Sequence, residues 1–339
     1  MSLTSTNMSY VRLGSSGMKV SKIILGCTAY GSSDWYSWVQ DEEESIKQIK
    51  AAYDLGINTF DTANIYSNGQ SEVVLGKAIK QHDLLREKIV VMTKVGFPPS
   101  RASALADSNG YVNQYGLSRK HIFDSVKRSL DRLQLDYVDV LYCHEFDSET
   151  PIHETMQALH DVVTAGYVRY IGISICRAWQ YYALSHHLTP FIAVENDYNL
   201  LYREDENELF PTLKRFGVSS VPWSTLARGA VVHPLQLPKT VQRGIIRLSR
   251  GDLYLYLGIS VLTPLLTHIR VEEIASRRNT TMTQVAVAWS LTREGVCALV
   301  INVSSTDGLL DAIGGLNVVL TPKEIQYLEE PYSPQKLHY

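Results

Sequence analysis

The sequence predicts an α/β fold: a single (β/α)8 barrel with an N-terminal β-hairpin and extra C-terminal helices. Three observations lead there. Eight short apolar runs alternate with longer amphipathic stretches along 339 residues, the pattern of parallel strands buried on both faces and covered by helices. Eight is also the number of strands that closes such a sheet into a TIM barrel. No linker or low-complexity block divides the chain, so residues 1–9 read as a flexible N-terminus and 10–339 as one domain, although length alone suggests about two. The competing fold, an open doubly wound sheet, needs a glycine-rich phosphate loop after its first strand. That place reads Leu25-Gly26-Cys27-Thr28-Ala29-Tyr30-Gly31, which is not GxGxxG.

The elements follow in order. Val11 to Val20 reads as a hairpin turned by Gly14, Ser15, Ser16 and Gly17. The apolar runs are Ile23–Cys27, Asn58–Ala63, Ile89–Val95, Val138–His144, Val168–Ser174, Phe191–Asn196, Val218–Ser224 and Ala298–Val303. Several helices between them show their ends. Asp41 and the acidic residues Glu42, Glu43 and Glu44 suit a helix N-terminus, and Gly56 suits its close. Ser118 caps 119–134, Pro151 opens a helix that Gly166 ends, and Gly217 ends 207–216. A long helical region over 271–295 breaks near Asn279, and two further helices cover 307–316 and 321–330, the last opened by Thr321-Pro322.

Composition narrows the function. With 45% hydrophobic residues the chain has a large core and is not globally disordered. The 32 basic and 35 acidic side chains leave a net charge of −3, which argues against a nucleic-acid partner held by a basic face. Cys27, Cys143, Cys176 and Cys297 are scattered, which suits a reducing, cytoplasmic setting rather than a zinc site or disulfide framework. His144, His186, His187 and His233 lack metal-ligand spacing, so no metal is expected. Neither end carries a recognisable targeting or lipidation signal. The longest uncharged run, 253–269, holds Gly258, Ser260 and Pro264 and reads as buried or loop-covering rather than membrane-spanning.

In such a barrel the chemistry sits where the strands end. The second run ends in Asp61, with Tyr66 shortly after it; the third ends near Lys94; the fourth ends at His144. These groups would meet at one rim. A tyrosine ordinarily ionises near pH 10 and needs a neighbouring ammonium to exchange protons at neutral pH. Lys94 supplies that charge if Asp61 holds it, and His144 can bond a substrate oxygen. Proton delivery to a developing alkoxide then lacks only a hydride donor, which no side chain provides and a nicotinamide does. Taken singly, Asp61 reads as a helix cap, His144 as structural, and Lys94 as an imine-forming aldolase lysine. The set on consecutive strands favours proton transfer.

At these residues the chain resembles the aldo-keto reductases. Gly56-Ile57-Asn58-Thr59-Phe60-Asp61-Thr62-Ala63-Asn64-Ile65-Tyr66-Ser67 is similar to the family's first signature, and Thr93-Lys94-Val95 and His144 match its lysine and histidine. The resemblance runs from about Tyr10 to Pro334 and is nearest the fungal aryl-alcohol dehydrogenase-like branch, in 116–122, 147–163 and 328–332. It implies an NAD(P)H-dependent enzyme that reduces an aldehyde or ketone, reversible as an alcohol dehydrogenase. Tyr66 would be the general acid or base, Lys94 would lower its pKa, Asp61 would pair with Lys94, and His144 would orient the carbonyl. Ser174 would bond the nicotinamide carboxamide and Trp223 would stack on the ring. The following residues, Ser224, Leu226, Arg228 and Gly229 among them, would line the pyrophosphate. NADPH/NADP+ is the implied cofactor, with NADH open.

The departures matter as much. Ile175 offers no hydrogen bond where the family has a serine or asparagine. Glu195 stands for a glutamine, and an ionised carboxylate cannot donate to the carboxamide oxygen. Ser304 and Ser305 could still hold a phosphate or ribose, but the basic positions of the family's adenosine-phosphate loop are Ser305 and Gly308 here. A 2′-phosphate is best met by arginine or lysine, so a smaller NADPH preference than the family's is expected. The segment 233–269 also departs from the branch. Trp35, Tyr36 and Trp38 after the first strand would form an aromatic wall for a flat or bulky carbonyl substrate, aromatic or of secondary-metabolite type. The expected partner is a small molecule, with no nucleic acid, no membrane, and a monomer or weak oligomer. The competing function is a cofactor-binding regulatory or interaction protein on the same barrel.

Overall fold

The computed structural model describes residues 8–99, 110, 112–174, 177–232 and 262–334. Strands β1 (Tyr10–Arg12) and β2 (Lys19–Ser21) form the hairpin, antiparallel with Val11 opposite Val20. The apolar runs become β3 (Ile23–Gly26), β4 (Thr59–Asp61), β5 (Val90–Val95), β6 (Val138–Cys143), β7 (Val168–Ile173), β8 (Phe191–Val194), β9 (Ser219–Ser220) and β10 (Leu299–Ile301). All pair in parallel, in the order β10-β3-β4-β5-β6-β7-β8-β9. Backbone bonds close the ring between its ends. Ser220 N donates to Gly295 O at 2.8 Å, Cys297 N to Ser220 O at 3.0 Å, and Val300 N to Pro222 O at 2.9 Å.

Two apolar layers follow from the strand alternation. One lies between the sheet and its surrounding helices. The other fills the barrel with Ile24, Val90, Met92, Val140, Tyr142, Ile192, Val221 and Val300. Leu13 and Val20 of the hairpin belong to this inner layer, so the hairpin plugs the end where the strands begin. Gly14 makes the fit: its φ is +58°, and a Cβ there would lie 2.2 Å from Ile192 O. Ser15 N then donates to Gly217 O at 2.7 Å.

The helices largely keep the expected ends. In α1 (Glu42–Asp54), Asp41 accepts from Glu44 N, and in α3 (Arg119–Leu133) Ser118 accepts from His121 N. Helix α4 (Ile152–Thr164) follows Pro151, and α6 (Leu209–Phe216) ends at Gly217, φ +65°. Two helices, α2 (Gln70–Gln81) and α5 (Arg177–Ser185), had no readable cap; α2 starts after a left-handed Gly69 rather than a capping side chain. The long C-terminal region is two helices, α7 (Leu262–Arg278) and α8 (Met282–Leu291), separated at Asn279, φ +51°. Helix α7 begins earlier than residue 271. Pro264 falls in its first turn, where a missing N–H costs nothing. The uncharged run therefore ends as helix, while 233–261 lies outside the described residues. Helices α9 (Thr306–Gly314) and α10 (Pro322–Glu329) complete the chain, the latter with a full Thr321–Glu324 capping box. No described helix is long and apolar enough to cross a membrane.

Candidate active site

The strand ends converge as expected. Along β5 side chains alternate: Thr93 faces outward and donates to the buried Glu72 of α2 at 2.6 Å, while Lys94 faces the barrel mouth. Lys94 Nζ donates to Asp61 Oδ1 at 2.6 Å, to Asp61 Oδ2 at 2.5 Å and to Thr62 O at 3.1 Å. It also lies 5.2 Å from the Tyr66 ring centroid. The Tyr66 and His144 rings meet edge to face, centroids 5.9 Å apart at 83°. Phe97 also meets the His144 ring edge to face, centroids 5.0 Å apart at 75°.

Tyr66 is set by strained backbone. Ser67, Asn68 and Gly69 follow it with φ of +50°, +55° and +89°, left-handed values that cost non-glycine residues energy and recur at functional sites. Ser32 N donates to Ser67 Oγ at 2.8 Å, and Gly31 lets the two loops meet, since a Cβ there would lie 2.4 Å from Ser67 Cβ.

The electrostatics depart from expectation in one respect. Burial pushes the Tyr66 hydroxyl up to about 12. Lys94 pulls it down, as the sequence suggested, and a hydrogen bond from Thr28 helps, but Asp61 and Glu195 add to the upward push. Burial alone would discharge Lys94, yet Asp61, Glu195 and Tyr66 hold its pKa well above the ordinary value. A lysine so held withholds the lone pair that an aldolase lysine uses. Burial, then Lys94, push His144 down to about 3, so its imidazole is neutral.

The remaining candidates spread around the rim. Glu195 follows β8, buried, with Oε2 3.2 Å from Lys94 Nζ. Ser174 follows β7 with its N–H on Cys143 O at 3.0 Å; Ile175 and Cys176 lie outside the described residues. Trp223 follows β9, its N–H on Asn196 O at 3.0 Å and the Arg228 guanidinium 5.7 Å from its ring. Ser304 and Ser305 follow β10. Gln40 and Gln48 donate to Ser304 O at 2.5 and 3.1 Å, tying this loop to the loop after β3 and to α1. Ser305 Oγ caps α9 by accepting from Gly308 N at 3.1 Å. Ser174, Trp223 and the serines occupy other strand ends of the same mouth.

Trp35 is nearly buried, 6.4 Å from Tyr66, 4.7 Å from Tyr36 and 6.3 Å from Trp38 by ring centroids. Tyr36 and Trp38 stack on each other at 5.5 Å and stand exposed. One ring of the expected wall thus packs beside the tyrosine, and two project from it. Sequence reasoning did not single out Thr28, Thr62 or Phe97. Thr28, Thr62 and Phe97 each follow a strand end and were within reach of the rule that found Asp61.

The mouth suits a dinucleotide. The Ser224 and Thr225 hydroxyls are buried without a partner, as is His144 Nδ1. Ser224, Ala227, Arg228 and Gly229 have φ of +60°, +47°, +53° and +93°, left-handed values that recur at functional sites; Ala227 N and Gly229 N bond within the turn, to Ser224 O and Leu226 O. Such orphaned groups in a mouth await a polar ligand.

Comparison with known proteins agrees. The Aldo/keto reductase family model matches residues 22–332. The chain belongs to the aldo/keto reductase family. Versiconal hemiacetal acetate reductase of Aspergillus parasiticus is 41% identical over 98% of this chain and 99% of its own. A Schizosaccharomyces pombe protein named "Putative aryl-alcohol dehydrogenase" is 42% identical over 96% of each chain. Aldo-keto reductase dtxS3 of Metarhizium robertsii is 42% identical over 99% of this chain and 94% of its own. This aldo-keto reductase resembles the fungal aryl-alcohol dehydrogenase-like branch. It is an oxidoreductase that acts on carbonyl and alcohol groups with a nicotinamide cofactor.

Proposed function

We propose that this reductase converts an aromatic or secondary-metabolite-type aldehyde or ketone to its alcohol, with Tyr66 giving the proton. The observation that carries it is the position of Trp35: it lies beside Tyr66 and continues into the exposed Tyr36–Trp38 stack. A flat substrate stacked on those rings extends its carbonyl toward Tyr66 and His144. The bound nicotinamide supplies the hydride. The protein's part is placement and proton supply. The neutral His144 ring bonds the carbonyl oxygen and orients it. As charge gathers on that oxygen, the Tyr66 hydroxyl donates its proton there, and the Lys94 ammonium, held by Asp61, stabilises the phenolate left behind. Alcohol oxidation runs the same steps backwards and needs Tyr66 ionised. The aryl alcohol in one relative's name fits this substrate class.

On the cofactor side, Ser174 and Trp223 hold the nicotinamide, and the turn from Ser224 through Leu226, Arg228 and Gly229 holds the pyrophosphate. Both NADPH and NADH are accepted, with NADPH modestly preferred. Two facts support the modesty. The Ser305 oxygen is committed to capping α9, and Asp307 adds negative charge to the same turn. Initial rates on a panel of aryl aldehydes and small aldoses, with each cofactor titrated in parallel by fluorescence, test both halves. Turnover should favour the aryl aldehydes, and the affinity ratio should stay below about 100-fold, about 2.7 kcal/mol. Turnover confined to hydrophilic aldoses, or a larger ratio, contradicts them.

A further inference from the structure

Glu195 stands four strands around the ring from Asp61, yet both reach Lys94. Its side chain is 2% exposed, its Oε2 is 3.2 Å from Lys94 Nζ, and its Oε1 is buried without a partner. The ammonium has three N–H bonds to give. Asp61 and Thr62 O draw on these at 2.5–2.6 and 3.1 Å. Those three acceptors already match the three N–H bonds, so an ionised Glu195 competes for them and leaves the Tyr66 oxygen nothing from Lys94. Two carboxylates against one ammonium also bury an uncompensated negative charge, which is costly away from water.

One proton resolves both conflicts. We propose that Glu195 is a positioning residue that carries a proton: its hydroxyl donates to Asp61, the Asp61–Lys94–Glu195 cluster is neutral, and an N–H of Lys94 is left for the Tyr66 oxygen. The groups facing Glu195 agree. Burial favours its neutral form most, Asp61 favours it next through charge and then through a hydrogen bond, and Lys94 opposes. Tyr66 and, from β6, Tyr142 each feel its charge, while Cys27 beside Asp61 and Cys297 near Tyr142 are thiols that burial keeps protonated. Loss of the proton at alkaline pH turns Lys94 toward Glu195 and makes Tyr66 a poorer donor, so carbonyl reduction declines there. That consequence rests on the proposed role of Tyr66; the proton itself does not.

Infrared spectroscopy of the full-length protein, with 13C-labelled glutamate, reads the proton without cofactor or substrate. A protonated carboxylic acid band at about pH 7 should shift with the label, vanish in Glu195→Gln, and disappear as pH rises. In kinetics, Glu195→Gln should keep kcat within about tenfold and the cofactor KM within about threefold, but lose the alkaline decline. Glu195→Ala should lose far more of kcat. A folded wild-type protein without a labelled acid band, or a band that survives in Glu195→Gln, overturns the proposal. If Glu195→Gln does not fold, the band must instead change frequency in Glu195→Asp, and an unchanged band overturns it equally. A band without carbonyl turnover upholds the proton on Glu195 and sinks the reductase mechanism, so the two fail separately.

Discussion

At the scale of the residue, the site is a contest between burial and charge. Burial, the largest influence, outweighs Lys94, and the Tyr66 hydroxyl ends near 12, above its ordinary value near 10. The sign has a consequence. A phenol with a raised pKa is protonated throughout the neutral range, so the donor for reduction is always present. The phenolate for oxidation is scarce and grows about tenfold per pH unit below that value. Initial rates of alcohol oxidation should therefore climb steeply between about pH 7 and 10, while reduction should not. A flat oxidation profile would count against Tyr66 as the titrating group. His144, pushed down to about 3, contributes no ionisation in that range. Asp61, Lys94 and His144 were legible as candidates because each falls at a strand end, and Tyr66 because it follows Asp61 in the loop after β4. The net direction of the Tyr66 shift was not, because it depends on how deeply the folded mouth buries the ring. Glu195 was legible as an odd acid, but its contact with Lys94 joins β8 to β5 across the barrel, a proximity that only closure creates.

At the scale of the element, strands were easier to place than helices. A parallel strand buried on both faces is a continuous apolar run, and each such run became a strand. Helix starts are set by local hydrogen bonds that sequence marks unevenly. Asp41, Ser118 and Thr321 cap with side chains and were readable; α2 starts after Gly69, which caps with none. Pro264 looks like a break and is instead a first-turn residue of α7. The hairpin was visible as a turn, but its work as a plug was not. Gly14 carries that work through its left-handed φ and its contact with Ile192 O. Gly14→Ala should cost about 1–3 kcal/mol from the backbone conformation and the clash together, seen as a lower midpoint in chemical unfolding. Because the hairpin closes the end opposite the mouth, kcat should be unchanged where the variant is folded. An unchanged midpoint would mean the hairpin yields without loss.

At the scale of the whole molecule, closing the strands into a ring creates the chemistry. The count of apolar runs anticipated the closure, and β9 and β10 complete it through Cys297 N on Ser220 O and Val300 N on Pro222 O. Closure gathers a tyrosine from the loop after β4, an ammonium from β5, an imidazole from the end of β6 and a second acid from the end of β8 into one mouth. It also sets the aromatic loop after β3 beside the tyrosine. The most direct test of the central claim separates proton delivery from cofactor binding. Tyr66→Phe removes one oxygen and keeps the ring that packs against Trp35 and His144. Steady-state reduction of an aryl aldehyde should fall by about 10²–10⁴ in kcat, while the NADPH affinity read by fluorescence titration should change by less than about threefold. Turnover within about tenfold of the wild type, or a loss of cofactor affinity that matches the loss of turnover, would contradict Tyr66 as the proton donor.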